Sequence, residues 1–329
     1  MKKILQYLFE YKTLTRQQAC SILKEISKGI YSESEVASFV TVFLMRSITI
    51  DEMKGFQQAL LELCVPVTLD GYDVLDIVGT GGDGKNTFNI STLSCFIVAA
   101  TGQKVVKHGN YGATSVSGAS NAMENLGYEF SNDTGKLKKE LDECNFCFLH
   151  APMFHPALKA VAPVRKHLGI RTFFNMMGPL VNPCFTVKRM IGVYNLEVAR
   201  LYRYILENEP NNFSIIHSLD GYDEISLTAD TRVITKNGEK TYDAFYLGKR
   251  SVEPSDLYGG NTAEEASKLF LKILKGRGSW AQNAVVLANA SLGLKTATGK
   301  DYDECYAACA ESLDSGKALN NFTRLMEMQ

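Results

Sequence analysis

The chain has 329 residues, enough for about two domains, and its 45% hydrophobic and 22% charged content is that of a globular protein able to bury a sizeable core. A formal net charge of -1 lacks the Lys and Arg surplus on which non-specific nucleic-acid binding draws, so nucleic acid is not an expected partner. No apolar run reaches the roughly 18 residues of a membrane span, and the opening MKKILQYLFEYKTLTRQQA is interrupted by Gln6, Glu10 and Lys12 with no small-residue cleavage site after it, so no membrane association and a cytoplasmic location are expected.

The first 65 or so residues read as helices. Ile4, Leu5, Leu8 and Phe9 recur at helical spacing. Thr15 with Gln18 three residues on forms a capping-box pattern, Ser32 or Ser34 is placed to open the helix carrying Val36, Phe39, Val40 and Phe43, and Asp51 is placed to cap the next. From Val74 the texture changes to alternation. Strands are expected at Val74–Val78, Lys104–Lys107, Phe146–Leu149, Arg171–Phe174, Met190–Tyr194 and Phe213–His217, and helices at 93–100, 117–126 and 156–168. Asn237-Gly238 between extended flanks predicts a hairpin, and helices are expected over 262–274, 281–293 and 301–313. The pattern predicts an α/β protein: a small helical-bundle domain and a larger domain whose mostly parallel central sheet is flanked by helices. The eight cysteines are spread through apolar segments, as reduced, buried thiols would be. Cys144 and Cys147 have redox or metal spacing, but no second pair follows, and the second falls in an apolar strand.

The chemistry-bearing residues cluster where strands end. DIVGTGGDGKNTFNIST (76–92) begins like a Walker A loop, with Gly79, Gly84 and Lys85, but Asn86 stands where magnesium needs a hydroxyl. Gly79, Gly81, Gly82 and Gly84 leave backbone N–H groups able to face an anion, and Asn89 or Ser91 can cap the following helix, whose N-terminus favours phosphate. Asp83 inside such a cradle suits sugar hydroxyls, a metal or a structural turn. KHGNYGATSVSG (107–118) brings a cation, an imidazole, an amide, hydroxyls and glycines to a second strand end. His155 and Phe154 could flank an aromatic ring, and Arg165 is a fork suited to a planar carboxylate. His167 and His217 read as surface or structural. Asp223-Glu224, after another strand, can hold magnesium, a hard cation with a preference for oxygen.

GTGGD at 79–83, TFNIST at 87–92, KHGN at 107–110, SG at 117–118, HPALKAVAPVR at 155–165, FFNMMGPLVNP at 173–183 and DE at 223–224 occur in one order, and together they resemble the anthranilate phosphoribosyltransferase family of the nucleoside-phosphorylase-like class. The resemblance covers essentially the whole chain. It implies a helical domain at 1–68, with a return of the chain at about 163–190, and an α/β domain at 69–329, with the active site in the cleft between and a homodimer formed through the helical domain. The implied reaction joins the anthranilate nitrogen to C1 of phosphoribosyl pyrophosphate and releases pyrophosphate, with magnesium as cofactor, two ions per subunit. Carried over by motif, Gly79, Gly82, Asp83, Thr87, Asn89, Ser91, Thr92, Lys107, Asn110 and Ser115 would hold phosphoribosyl pyrophosphate. Ser91, Asp223 and Glu224 would serve magnesium, and Gly79, His108, Asn110, His155 and Arg165 would meet anthranilate. Lys107 and Arg165 would act as charge stabilisers, with no covalent nucleophile.

The chain departs from the family pattern at Tyr111, where Arg is common, at Ala119, where Ser is common, and at Asn121, where Asp is common. Three rivals are weaker. A pyrimidine-nucleoside phosphorylase of the same fold would bind free phosphate, whereas Asp83 and TFNIST favour a pyrophosphorylated sugar. A nucleic-acid-binding relative should be markedly basic. A nucleoside-triphosphate loop is opposed by Asn86.

Overall fold

The chain opens with four helices, α1 (Lys2–Phe9), α2 (Arg16–Ser27), α3 (Glu33–Met45) and α4 (Ile50–Glu62), and side-chain caps start the last three. Thr15 and Gln18 form a reciprocal capping box, and Ser32 does the same with Glu35. The fourth helix opens on Thr49 with Glu52 as its partner, not on Asp51, which falls in the first turn. Glu52 wins because its buried carboxylate also accepts from Leu14 N–H at 2.9 Å and pairs with Arg46 at 2.6 Å.

In the computed structural model, which describes residues 1–112, 118–185, 187–248 and 250–329, these helices belong to one unit, Met1–Val67 with Ala151–Pro183; the other is Thr68–His150 with Cys184–Gln329. Phe173 joins the aromatic centre of the first unit, stacked on Phe56 at 4.6 Å and edge-on to Phe43 at 5.2 Å. The strand expected at Arg171–Phe174 is instead a 3₁₀ turn, Phe173–Met176. A strand would send Phe173 and Phe174 to opposite faces, whereas here their rings stack at 4.3 Å. The helix expected over 156–168 is split into a 3₁₀ turn, Pro156–Lys159, and a helix, Ala162–Leu168. Pro163 lacks the N–H needed to continue the first piece and suits the first turn of the second.

Among the described residues the second unit is built on seven strands: β1 (Val74–Gly79), β2 (Lys104–Gly109), β3 (Phe146–His150), β4 (Lys188–Gly192), β5 (Phe213–Ser218), β6 (Thr231–Thr235) and β7 (Gly238–Tyr242). Their order is β3-β2-β1-β4-β5-β6-β7, with the first five parallel and the β6–β7 hairpin antiparallel on one edge. The parallel strands are almost wholly buried, which is why they read as apolar runs and not as alternations. Helix α5 (Ile90–Ala100) and the long helix Trp280–Thr298 are apolar nearly all round, and Phe96 packs on Phe146, Phe270 and Phe322. Helices Thr134–Cys144, Leu196–Leu206 and Lys317–Glu327 complete the layers and are not among those expected.

All eight cysteines are free, and burial pushes the Cys144 thiol up to about 11 and that of Cys147 well above its usual range. Both are core residues. Among the described residues no helix is long and apolar enough to cross a membrane.

Candidate active site

The strand order reverses at β1, with β2 on one side and β4 on the other, and ligands of open α/β sheets bind beyond the carboxyl ends of the strands at such a point. Two glycines in register, Gly79 and Gly192, end β1 and β4 there. They form a floor without side chains under Asp223. A Cβ on Gly79 would lie 2.4 Å from Asp223 Oδ2, and one on Gly192 would lie 1.5 Å from the Asp223 carbonyl oxygen. Past Gly79 the chain bends through left-handed backbone at Gly81, Gly82 and Gly84. Gly81 N–H donates to Asp223 Oδ2 at 2.7 Å, so the glycine bend and the acidic turn, 142 residues apart, meet directly. Asp83 closes the bend by accepting from Lys85 N–H at 3.0 Å.

Glu224 reaches the start of α5. Ser91 N–H donates to its Oε1 at 3.0 Å, and the Thr87 hydroxyl to its Oε2 at 3.4 Å. Asn89 is the N-cap residue but makes no side-chain capping bond, so the distant carboxylate satisfies the helix start in place of the local cap the sequence led us to expect. Lys107 is buried along β2, its ammonium donating to Ile77 O at 2.7 Å and Ser91 Oγ at 3.2 Å. Burial, and then the nearby charge of Asp83, raise Asp223 to about 7. Burial followed by Asp223 and Asp83 raise Glu224 well above the carboxylate range, against the pull of Ser91 N–H and Lys107.

The remaining expected residues fall around this centre or elsewhere. Gly82 is buried, and Thr92 is wholly buried with its hydroxyl unpartnered among the described residues. His108, buried at the end of β2, donates its backbone N–H to Asp76 Oδ1 at 3.3 Å. Asn110 is exposed. Ser115 lies outside the described residues. At the three departures, Tyr111 sits edge-on to His150 at 5.0 Å, Asn121 Oδ1 accepts from both Gly112 N–H and Gly118 N–H, and Ala119 begins a short helix. Sequence reasoning missed the floor at Gly192, although a glycine inside an apolar strand signals a close backbone approach. It also missed the brace that pins Asn86 to Phe88 against 257–260 through Phe88 N–H to Leu257 O, Gly259 N–H to Asn86 O and the Asn86 amide to Gly260 O.

His155 and Arg165 belong to the first unit. Arg165 is half-buried, lies 5.8 Å from the Phe174 ring centre and has no acidic partner among the described residues; burial lowers its proton affinity. Burial also drives His155 down to about 4 from 6.5. The folded protein therefore takes up this proton only near pH 4 and the unfolded chain near 6.5. His155 costs no stability above pH 6.5, and stability falls as the pH drops from there, by at most about 3 kcal/mol near pH 4. Denaturant unfolding of the wild type and of His155→Gln should show this: the wild type loses more stability between neutral pH and pH 4, and parallel losses would refute the assignment.

A helical bundle domain of the glycosyl transferase family matches residues 2–64, and the α/β domain of that family matches 71–319. The chain is 51% identical over 329 residues to the anthranilate phosphoribosyltransferase of Bacteroides fragilis, covering 100% of this chain and 99% of that one, and 49% identical over 328 residues to that of Christiangramia forsetii, with the same coverage. Among solved structures, the Thermus thermophilus anthranilate phosphoribosyltransferase superposes with a TM-score of 0.91 at 30% identity over 98% of both chains. The Saccharomyces cerevisiae enzyme in complex with phosphoribosyl pyrophosphate and magnesium does so at 0.88 and 27% identity, over 96% of this chain and 93% of that one. This chain belongs to the anthranilate phosphoribosyltransferase family of glycosyl transferases.

Proposed function

We propose that the protein transfers the phosphoribosyl group of phosphoribosyl pyrophosphate to the amine of anthranilate. The N–C1 bond forms, the C1–O bond to pyrophosphate breaks, and the amine gives up one proton. The observation that carries this reading is the meeting of three devices at the strand switch point: the Gly81 N–H on Asp223, the Ser91 N–H on Glu224, and the Lys107 ammonium on the Ser91 hydroxyl. This arrangement fits a hard divalent cation. Its donors are all oxygens, and neighbouring carboxylates with raised proton affinity need positive charge to remain ionised together. Asp223, Glu224 and Ser91 would hold magnesium, two ions per subunit. When bound, magnesium would neutralise the pyrophosphate as it leaves.

The chain's own residues do the remaining work. Backbone N–H groups of the bend and of α5, with Gly79, Gly82, Asp83, Thr87, Asn89, Ser91, Thr92, Asn110 and Ser115, bind and orient phosphoribosyl pyrophosphate. Lys107 adds fixed positive charge where negative charge develops, and that charge requires no rearrangement during the reaction. For anthranilate we assign Arg165 to the carboxylate and Gly79, His108, Asn110 and His155 to the ring and amine. Holding the amine near C1 replaces a bimolecular encounter.

The test is loss of anthranilate fluorescence, which should require both phosphoribosyl pyrophosphate and magnesium. Consumption with either omitted sinks the reading. In the same assay Arg165→Ala should raise the KM for anthranilate on the order of tenfold or more, the loss of a charge-assisted pair, and leave the KM for phosphoribosyl pyrophosphate nearly unchanged. An equal rise in both counts against the carboxylate role.

We also propose a homodimer formed through the helical unit, on which Phe9, Tyr11 and Met45 are 61%, 77% and 83% exposed. Light scattering should give twice the 36.4 kDa chain mass, moving towards 36.4 kDa on Phe9→Glu with Met45→Glu. A wild-type mass of one chain rejects the dimer.

A further inference from the structure

The acidic turn lies in irregular chain between β5 and β6, yet its carboxylates must be held within a fraction of an ångström to serve a cation and a phosphate. Gly81, Ser91 and Thr87 hold the carboxylates themselves, but the backbone that carries Glu224 is fixed by residues not assigned so far. Asn289, on the long helix Trp280–Thr298, is 1% exposed. Its Oδ1 accepts from Ile225 N–H at 3.0 Å, and its Nδ2 donates to Ile225 O at 2.8 Å and Val285 O at 2.9 Å. One amide thus satisfies both backbone groups of the residue after Glu224 and ties them to the helix. From the other side Ser218, at the end of β5 and wholly buried, donates its hydroxyl to Glu224 O at 2.7 Å and accepts from Ser226 N–H at 3.1 Å. The backbone of 224–226 is therefore clamped on both flanks by side chains that do not face the ligand positions. An alanine at 289 would leave both Ile225 groups without these partners, and the turn would lose its tie to the helix.

Taking the functional reading above as its basis, we propose that Asn289, seconded by Ser218, is a positioning residue that sets the aim of Asp223 and Glu224 towards magnesium and the pyrophosphate. Groups that orient metal-holding carboxylates in this way are typically worth 10–100-fold in metal affinity or activity.

The test titrates phosphoribosyl pyrophosphate, saturated with magnesium, into wild-type, Asn289→Ala and Ser218→Ala protein by calorimetry, alongside thermal unfolding and steady-state kinetics. Asn289→Ala is expected to bind this ligand at least tenfold more weakly and to need at least tenfold more magnesium for half-maximal turnover. The KM for anthranilate should stay within about twofold, and Ser218→Ala should shift in the same direction by less. Wild-type affinity in both variants overturns the proposal. So does a parallel loss of magnesium affinity, anthranilate affinity and thermal midpoint, which would mark a purely structural role. If Asn289→Ala does not fold, Ser218→Ala decides by the same criteria. A wild-type protein that gives no heat with this ligand instead overturns the functional reading, and the inference with it.

Discussion

Asp223→Asn combined with Glu224→Gln should lower turnover on the order of a thousandfold while making the metal-free protein harder to unfold at neutral pH. Each carboxylate is a preorganised charge at the point where pyrophosphate would leave, and removing one such stabiliser typically costs on the order of a hundredfold or more. The amides keep the shape and can still accept from Gly81 and Ser91, so the loss isolates charge from geometry. The stability effect has the opposite sign. Asp223 rises from 3.8 to about 7 on folding, because of burial first and Asp83 second. A carboxyl with a raised folded value favours the fold fully only at low pH. The penalty builds as pH rises through about 4 and is complete above about 7. Neutral amides remove it, so without metal the variant should melt at a higher temperature near pH 7.5, with the difference closing towards pH 4. Near-normal turnover at limiting magnesium would defeat the metal assignment, and an unchanged melting temperature would defeat the charge argument. A site that costs stability to hold is characteristic of carboxylates retained for function.

How much of this could be read in advance depended on how local each feature is. Capping boxes at Thr15 and Ser32 depend on residues three apart, and both are present. The parallel strands showed through as apolar runs because both faces are covered. By contrast, Arg171–Phe174 has the aromatic, β-branched composition of a strand, and only the stacking of Phe173 on Phe56, more than a hundred residues away, makes it a 3₁₀ turn. The cap of α5 is invisible locally for the same reason, since the acceptor at Ser91 N–H comes from Glu224. The glycines at 79–84 and the acids at 223–224 were visible as types able to hold phosphate and metal. That Gly81 touches Asp223 depends on the sheet order, which no local pattern encodes. Nothing in the sequence sets Asn289 apart within its apolar helix; its role appears only when Ile225 is brought beside it.

Gly192→Ala should lower turnover on the order of a hundredfold, although it removes no functional group. The added methyl would sit 1.5 Å from the Asp223 carbonyl oxygen, far inside contact distance, and the atom it meets is backbone and cannot rotate away. Either β4 or the 222–224 turn must move by more than an ångström. β4 is held by β1 and β5 on its two sides, and its successor Val193 N–H donates to Ile216 O at 2.9 Å. Asp223 itself lies outside the bonds that Asn289 and Ser218 make to 224–226, so the turn yields at Asp223 and strains against that clamp. Overpacking of this kind costs about 1–3 kcal/mol of stability, and a misplacement of about 1 Å at a reacting centre costs on the order of a hundredfold in rate. Gly79→Ala is the informative comparison. Its methyl would meet the Asp223 carboxylate at 2.4 Å, and a side-chain oxygen can swing aside, so it should keep more of the fold while losing the Gly81 to Asp223 bond. Thermal unfolding and turnover of the two variants separate the cases: Gly192→Ala should lose both, and Gly79→Ala mainly turnover. Gly192→Ala with wild-type activity and melting temperature would mean that Asp223 does not rest on the end of β4, and the geometry on which the assignment of Asp223 and Glu224 depends would have to be abandoned.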